Sequence, residues 1–244
     1  MDISFHPRLR KEAHDLEKFL KNNRLDDDIN YVIGGDGTLL LYASAAKPNF
    51  LISPASSVGY YAFARLDNRY EAIYNYLNCP KRFNKEYLTI SAEINGKKVK
   101  DSALNEVLIT EGLNLTSKMR SSLDNFAGLE INSGFIAYTY HGWSGFAKNL
   151  GIKNVEESKI GLASIAQSNG LIPNNGMVLP EKFSIQIVPR NRKTRFLMYL
   201  DCIDIKPYNP FCSSKKSVRT KPYVLRPDDE ITLKKGTPII IASK

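Results

Sequence analysis

The chain has little that would staple it or anchor it. Cysteine occurs three times in 244 residues, at Cys79, Cys202 and Cys212. No two are close and the count is odd, which argues against a disulfide framework and for a reducing compartment. Histidine also occurs three times, at His6, His14 and His141. Neither residue type shows the ligand spacing of a zinc site. No apolar run approaches the ~20 residues that a membrane-spanning helix needs. The opening MDISFHPRLRK carries no apolar stretch of signal-peptide length, so a cytoplasmic protein without a membrane partner is expected. Internal repeats and low-complexity linkers are missing as well.

What is present is an ordinary globular composition, 43% hydrophobic and 24% charged, over a length that suits two modest domains or one large one. The net charge is +9 and the isoelectric point is about 9.3. Such a balance fits either a nucleic-acid binder or an enzyme of phosphorylated substrates. The basic residues that cluster do so late, in PRNRKTR (189–195) and SSKKSVRTK (213–221), and read as solvated loops. Neither the aromatic-basic signature of an RNA-binding sheet nor zinc-finger spacing occurs, so nucleic acid is not the expected partner.

The first third alternates strand and helix signals. Ile3–Phe5 is a short apolar start, and Leu9, Ala13, Leu16 and Leu20 recur at helical spacing. Tyr31-Val32-Ile33 and FLISPA (50–55) read as buried strands, with TLLLYASAA (38–46) as a helix between them. Asp67 is expected to cap a further helix whose inner face is Tyr70, Ile73, Tyr74 and Leu77. Alternation of this kind predicts a parallel, Rossmann-like sheet. After about Lys85 the period changes to two. Leu88, Ile90, Ala92 and Ile94 alternate with polar residues, and Asn95-Gly96 follows as a hairpin signal. FSIQIV (183–188), FLMYLDCIDI (196–205), EITL (230–233) and PIIIA (238–242) also read as strands. The expected fold is α/β plus mostly β: a small Rossmann-like domain over 1–84, then a β-rich, sandwich-like domain over 85–244.

One turn concentrates the chemistry. In YVIGGDGTLL (31–40) an apolar strand ends at Gly34-Gly35-Asp36-Gly37-Thr38, at the carboxyl edge where open α/β sheets bind ligands. Glycine lets the backbone approach a polyphosphate, and the N–H groups of a helix starting near Thr38 suit anionic oxygens. This is not a P-loop, because no lysine follows. A carboxylate among phosphates repels them unless it works there, by holding Mg²⁺ indirectly or by taking a proton from an attacking hydroxyl. A bare helix-capping turn is the plainer alternative.

GGDGT resembles a signature of three phosphotransferase groups: NAD kinases, diacylglycerol and sphingosine kinases, and phosphofructokinases. Lipid kinases carry Asn-Glu directly after the turn, where this chain has Leu39-Leu40. Phosphofructokinases carry a further early glycine-rich loop that is missing here. NAD kinases carry a separate Asn-Glu in the β-rich half, and ALNEVLI (103–109) matches it. SVGYYAF (57–63) is similar to that family's G-x-L-G-F segment. The chain therefore resembles the NAD kinases from about residue 29 to 205, sharply in two motifs.

The resemblance implies transfer of the γ-phosphoryl group of ATP, or of polyphosphate, to the 2′-hydroxyl of the adenosine ribose of NAD. It implies Asp36 as the catalytic base beside the dinucleotide, Gly34, Gly35, Gly37 and Thr38 around the phosphates, and Asn105 and Glu106 on the adenosine end. Mg²⁺ or another divalent cation is the implied cofactor, with no protein metal ligands assigned, and a homodimer or homotetramer is the implied assembly. The family's third motif, G-D-G followed by T-P-T-G-S-T-A-Y, has drifted in NSGFIAYTYHGWSGFAKN (132–149). Ser133 stands for its aspartate. Thr139, Ser144, Gly145, Phe146 and Asn149 are the implied contacts to NAD, and His141 and Trp143 are additions beside them, Trp143 either stacking on a base or lying as a partly buried surface ring. Asp201 resembles the aspartate of a later Asp-Gly motif, with Cys202 replacing the glycine. The drift keeps two other readings open: a catalytically weak nucleotide sensor of the same fold, and a related kinase acting on a lipid or another nucleoside hydroxyl.

Overall fold

A computed structural model describes residues 2–25, 28–54, 59–111, 117–144, 146–188, 196–201 and 222–243. The basic runs 189–195 and 213–221, Cys202, Cys212, Gly145 and the start of the 57–63 segment lie outside them. In chain order the elements begin with β1 (Asp2–Phe5), α1 (Arg10–Asn22), β2 (Asn30–Ile33), α2 (Asp36–Tyr42), β3 (Asn49–Ser53), β4 (Ala64–Arg65), α3 (Arg69–Asn78), α4 (Pro80–Phe83) and β5 (Asn84–Tyr87). They continue with β6 (Ile90–Ile94), β7 (Lys97–Ala103), β8 (Glu106–Glu111), β9 (Ser117–Leu123), β10 (Phe126–Asn132), β11 (Gly134–Thr139), α5 (Phe146–Asn149) and β12 (Ile160–Ile165). The last are β13 (Met177–Val178), β14 (Phe183–Val188), β15 (Phe196–Leu200), β16 (Tyr223–Leu225), β17 (Glu230–Lys235) and β18 (Ile239–Ala242). Contacts divide the chain into two units, one containing Met1–Tyr87 and Pro238–Lys244, the other containing Leu88–Ile203 and Lys221–Thr237.

In the first unit β2 and β3 are buried at every position. That is the burial of strands covered on both faces, and it explains their unbroken apolar runs. Strand order is β1-β2-β3-β18-β5, with β4 beside β3. The β1–β2, β2–β3, β3–β4 and β3–β18 pairs are parallel, and β5 closes one edge antiparallel to β18. The PIIIA strand thus joins the sheet of the first unit, through Ile241 opposite Asn49 and Ile239 opposite Tyr87.

Helix α1 buries Ala13, Leu16 and Leu20 as their spacing predicts, each large side chain contributing about 1.5–3 kcal/mol. Helix α3 departs from expectation: it buries Ala72, Ile73 and Tyr76, while Tyr74 is 41% exposed and shares a hydrogen bond with Asn23. The Tyr76 ring decides the rotation of the helix, because it meets Phe50 at 5.2 Å and Phe63 at 5.8 Å between centroids. Asp67 is not the cap; Asn68 holds that position, and its side-chain oxygen accepts the Arg65 N–H at 2.9 Å. Helix α2 starts earlier than Thr38, at Asp36, and stops at Tyr42.

At the starts of β2 and β3 two buried amides meet. Asn30 Nδ2 donates to Asn49 Oδ1 at 2.8 Å and to the Tyr42 carbonyl at 2.9 Å. Asn49 in turn donates to the carbonyls of Ser44 and Ile240 and accepts from the Ser44 N–H. The pair ties β2, the end of α2, β3 and β18 together.

The second unit holds two six-stranded antiparallel sheets, ordered β10-β9-β14-β17-β6-β7 and β13-β12-β11-β8-β15-β16. One apolar cluster takes side chains from both, among them Ile90, Met119, Ile185 and Leu233 from the first and Ile109, Phe135, Leu162 and Met198 from the second. This is a sandwich. The strict alternation of FSIQIV and FLMYL shows as buried and half-buried positions in turn. Asn95 and Gly96 have φ of 51° and 73° and join β6 to β7 in a two-residue turn, as the Asn-Gly signal predicts. Strand β11 is buried throughout, because a second cluster of Ile136, Tyr138, Ala147, Ile152 and Ala163 covers its other side. No described helix is long and apolar enough to cross a membrane.

Candidate functional site

The GGDGT turn follows the carboxyl end of β2. Gly34 has φ of 157°, and a Cβ there would lie 2.3 Å from Thr38 Oγ1, so the close approach of Thr38 requires glycine. Thr38 itself is buried and its N–H bonds the Gly35 carbonyl at 2.9 Å. At Gly35 and Gly37, in contrast, an added Cβ would meet none of the described residues within 4 Å. The packing of the protein therefore does not ask for glycine at either position.

Asp36 is the first residue of α2 and is half-buried. Its Oδ2 accepts the Tyr60 N–H at 2.8 Å and its Oδ1 the Tyr61 N–H at 3.1 Å. Those donors sit in the loop that follows the carboxyl end of the neighbouring parallel strand β3, so the carboxylate bridges two loops at one sheet edge. A Cβ at Gly59 would lie 2.7 Å from Asp36 Oδ1, which makes Gly59 a close neighbour of the carboxylate. Each oxygen carries lone pairs beyond the one engaged by a backbone donor. The carboxylate is thus fixed in direction yet retains capacity to accept a proton or a further hydrogen bond.

In the second unit Asn105 lies in the turn between β7 and β8, and Glu106 opens β8 and is buried. Asp201, at the end of β15, folds back on this turn with φ of 50°. Its carboxylate accepts the N–H of Leu104 at 3.0 Å, of Asn105 at 2.6 Å and of Glu106 at 3.2 Å. Thr139 grips the same turn from β11: its hydroxyl donates to the Leu104 carbonyl at 2.8 Å and accepts the Gly142 N–H at 3.0 Å. Gly142 leaves no room of its own, since a Cβ there would lie 2.1 Å from the Asn105 carbonyl oxygen.

The segment 132–149 divides by exposure. Ser133 is held by its backbone, its N–H on the Ile165 carbonyl at 2.8 Å and its carbonyl receiving the Thr110 hydroxyl at 3.0 Å. Thr139 is buried, so its hydroxyl is spent inside the protein. Ser144, Phe146 and Asn149 are exposed, Phe146 at 39%; the Ser144 hydroxyl bonds the His141 carbonyl at 3.0 Å. Gly145 lies outside the described residues. Trp143 packs on the cluster under β11, donates its indole N–H to the Ile152 carbonyl at 2.6 Å and lies under Lys148 at 5.5 Å, the arrangement of a structural ring. His141 is buried, with Nε2 3.2 Å from Glu157 Oε1.

Sequence reasoning noted Asp201 only by resemblance and missed what it does. Its partners are 95 to 97 positions away, beyond any local pattern. The only local trace is an acidic residue directly after an alternating strand.

Among the described residues no group of three or more His, Cys, Asp or Glu could hold a metal ion. Asp36 offers one carboxylate at this turn, a donor of the kind that suits an Mg²⁺ carried mainly on nucleotide phosphates.

Comparison with known proteins found no matching family model. A curated NAD kinase from Thermoplasma acidophilum is 28% identical over 144 residues, covering 57% of this chain and 53% of the relative; the chain spans about half the length of that relative. The solved structure of yeast NADH kinase complexed with NADH superposes with a TM-score of 0.67 at 14% identity, covering 89% of this chain and 63% of the other. An NAD kinase from Archaeoglobus fulgidus in complex with ATP gives 0.67 at 18% identity, covering 100% and 94%.

Proposed function

We propose that this chain, whose fold and sequence likeness are those of the NAD kinase family, transfers the γ-phosphoryl group of ATP to the 2′-hydroxyl of the adenosine ribose of NAD. The new bond joins the ribose 2′-oxygen to phosphorus while the bond from the γ-phosphorus to its bridging oxygen breaks. ADP leaves, and the hydroxyl proton passes to Asp36. The observation that carries this reading is the Asp36 turn. A carboxylate aimed by two backbone donors stands between two glycines that the protein's own packing does not require, at the sheet edge where α/β folds bind nucleotides.

In this reading Gly35 and Gly37 let the backbone approach the phosphates, and Gly34 and Thr38 hold the turn in shape. Asn105 and Glu106 hydrogen-bond the adenosine end of NAD and orient its hydroxyl for in-line attack. Ser144, Gly145, Phe146 and Asn149 contact the rest of the dinucleotide, and Thr139 contributes by holding the Asn105 turn. Asp36 is the residue that would lie beside a divalent cation carried on the ATP phosphates, and the cation would supply neutralisation of the transferred charge. The unit containing Met1–Tyr87 and Pro238–Lys244 carries the phosphoryl chemistry, and the unit containing Leu88–Ile203 and Lys221–Thr237 the dinucleotide recognition. The protein acts in the cytoplasm as a homodimer or homotetramer, which sedimentation tests directly.

Support for NAD comes from the name of the curated relative and for NADH from that of the yeast structure, so both acceptors enter the assay. Purified protein is incubated with ATP and Mg²⁺ and either dinucleotide, and NADP or NADPH is measured enzymatically. Product that disappears in Asp36→Asn supports the reading. Dinucleotide binding without product from either acceptor overturns it in favour of a nucleotide sensor.

A further inference from the structure

We infer that Asp201 is the positioning residue of dinucleotide recognition: it holds the backbone of Leu104, Asn105 and Glu106 so that the side chains of Asn105 and Glu106 meet the adenosine end of the substrate. The inference rests on the function proposed above and adds a residue to it. Its geometry is a complete account of one turn. Asp201 Oδ2 takes the Leu104 N–H, and its Oδ1 takes those of Asn105 and Glu106. On the acceptor side the Leu104 carbonyl receives the Thr139 hydroxyl. The Asn105 carbonyl receives the Thr139 N–H at 2.8 Å, and the Glu106 carbonyl receives the Asp201 N–H at 2.7 Å. Each backbone donor and acceptor of the three residues meets Asp201 or Thr139. No backbone N–H of the turn is left for a ligand, so recognition rests on its side chains, and their direction is set by Asp201 and Thr139.

The conformation of Asp201 argues that the carboxylate is what matters there. Its φ of 50° is left-handed, a region that few residues other than glycine, asparagine and aspartate visit. Strand β15 pairs with β8 up to Leu200 opposite Val107. At the next residue the chain turns away, while the Asp201 N–H keeps its bond to Glu106. The left-handed turn swings the carboxylate over the three N–H groups while Asp201 is 1% exposed. Glycine would relieve the backbone and lose all three bonds. Asparagine tolerates the same φ but presents an amide N–H₂ to at least one of the donors. The two substitutions therefore separate the backbone from the charge.

The test compares wild type, Asp201→Asn, Asp201→Gly and Glu106→Ala, together with Asp201→Asn in the Glu106→Ala background. KM for NAD and KM for ATP are measured separately and thermal midpoints are recorded. Asp201→Asn raises KM for NAD about tenfold, the loss expected when a charge-assisted acceptor is removed from a turn, and leaves KM for ATP within about twofold. In the Glu106→Ala background the same substitution raises KM for NAD by less than about twofold, because both act through one turn. Asp201→Gly, which loses all three bonds, raises KM for NAD at least as much as Asp201→Asn and keeps the inference testable should the asparagine variant not fold. An unchanged KM for NAD in a folded variant, equal rises for both substrates, or a full tenfold rise in the Glu106→Ala background each overturns the inference. A wild type that binds NAD by calorimetry without turning it over overturns the kinase reading alone, and the same variants are then compared by NAD affinity. A wild type that neither binds nor turns over NAD overturns both.

Discussion

The two turns at the centre of the proposed chemistry use an aspartate in opposite ways. In the first unit the proposed base is itself the anchor: Asp36 holds the N–H groups of Tyr60 and Tyr61. In the second unit anchoring and recognition are divided, Asp201 holding the backbone while Asn105 and Glu106 supply the recognising side chains. Two backbone donors aim Asp36, one on each oxygen, and each oxygen keeps a further lone pair, which suits a group that must also accept a proton. A substrate-binding turn gains more from rigidity, since aligning a hydroxyl for in-line attack depends on position to a fraction of an ångström. The comparison predicts that damage at Asp36 mixes chemistry with local structure, whereas damage in the second unit can be assigned to one or the other.

The largest effect is expected at Asp36. Asp36→Asn loses the base and turns its amide N–H₂ on one of the two backbone donors, so transfer falls by at least ~1000-fold while the dissociation constant for NAD, measured by calorimetry, stays within about threefold. Activity within a few-fold of wild type would leave Asp36 as an anchor only and erase half of the comparison. Chelation by excess EDTA is expected to stop turnover equally and reversibly, with recovery on adding Mg²⁺; full activity in chelator rejects the divalent cation.

Two glycines sharpen the contrast next. Gly142→Ala forces a Cβ to 2.1 Å from the Asn105 carbonyl oxygen, so the turn must shift. KM for NAD rises tenfold or more and the thermal midpoint falls by several degrees, on the order of 2 kcal/mol. Gly37→Ala meets nothing within 4 Å and lies inside α2, where alanine is favoured by up to about 1 kcal/mol. Stability is therefore unchanged or higher, while KM for ATP rises if the added methyl faces the phosphates. A stable Gly37→Ala enzyme with wild-type kinetics for ATP removes Gly37 from the phosphate site.

These expectations rest on features of unequal legibility. The buried run at Tyr31–Ile33, the helix through Leu16 and Leu20, the Asn95-Gly96 hairpin and the alternation of FSIQIV are local patterns that appear as written, and the run expected over 50–55 is a strand that ends at Ser53. GGDGT was legible because a strand, three glycines and one acid are contiguous. Longer-range decisions were not. Nothing near PIIIA says that β18 pairs with β3, almost 200 positions earlier. The rotation of α3 was set by the fit of Tyr76 among Phe50 and Phe63, and helical spacing alone admitted Tyr74 just as well. Thr139 was readable as a ligand contact by resemblance, but its burial and both of its hydrogen bonds belong to the Asn105 turn. Asp201 shows the general limit: a residue that acts on a backbone about a hundred positions away leaves only its own identity in the sequence.

A smaller effect separates the units by stability. Asn49→Leu removes one acceptor and two carbonyl partners from a buried network and leaves the Asn30 amide with a lost bond. The expected cost is about 2–4 kcal/mol. Hydrogen exchange should quicken across β2 and β3 and remain slow in β8 and β11. Uniform quickening in both units would mean that they unfold as one cooperative body, and their separate treatment would fail.

The last and smallest effect lies in the second unit at high pH. The Tyr138 phenol is buried beneath the 142–152 segment and donates to the Lys153 carbonyl at 2.6 Å, and burial pushes its pKa up to about 12. Its proton is thus held more tightly in the folded chain than in the unfolded chain, where a tyrosine ionises near pH ~10. Below about pH 10 both states keep the proton and Tyr138 adds no pH dependence. Between about 10 and about 12 the unfolded state ionises first, so stability falls as pH rises. Tyr138→Phe removes that slope at the cost of one hydrogen bond, about 1 kcal/mol at neutral pH. Denaturant midpoints of the two proteins, measured from pH 8 upward, should converge above pH ~10. Parallel midpoints throughout would mean that the phenol ionises equally well in both states, and the 142–152 segment would then be a looser cover over β11 than its contacts describe.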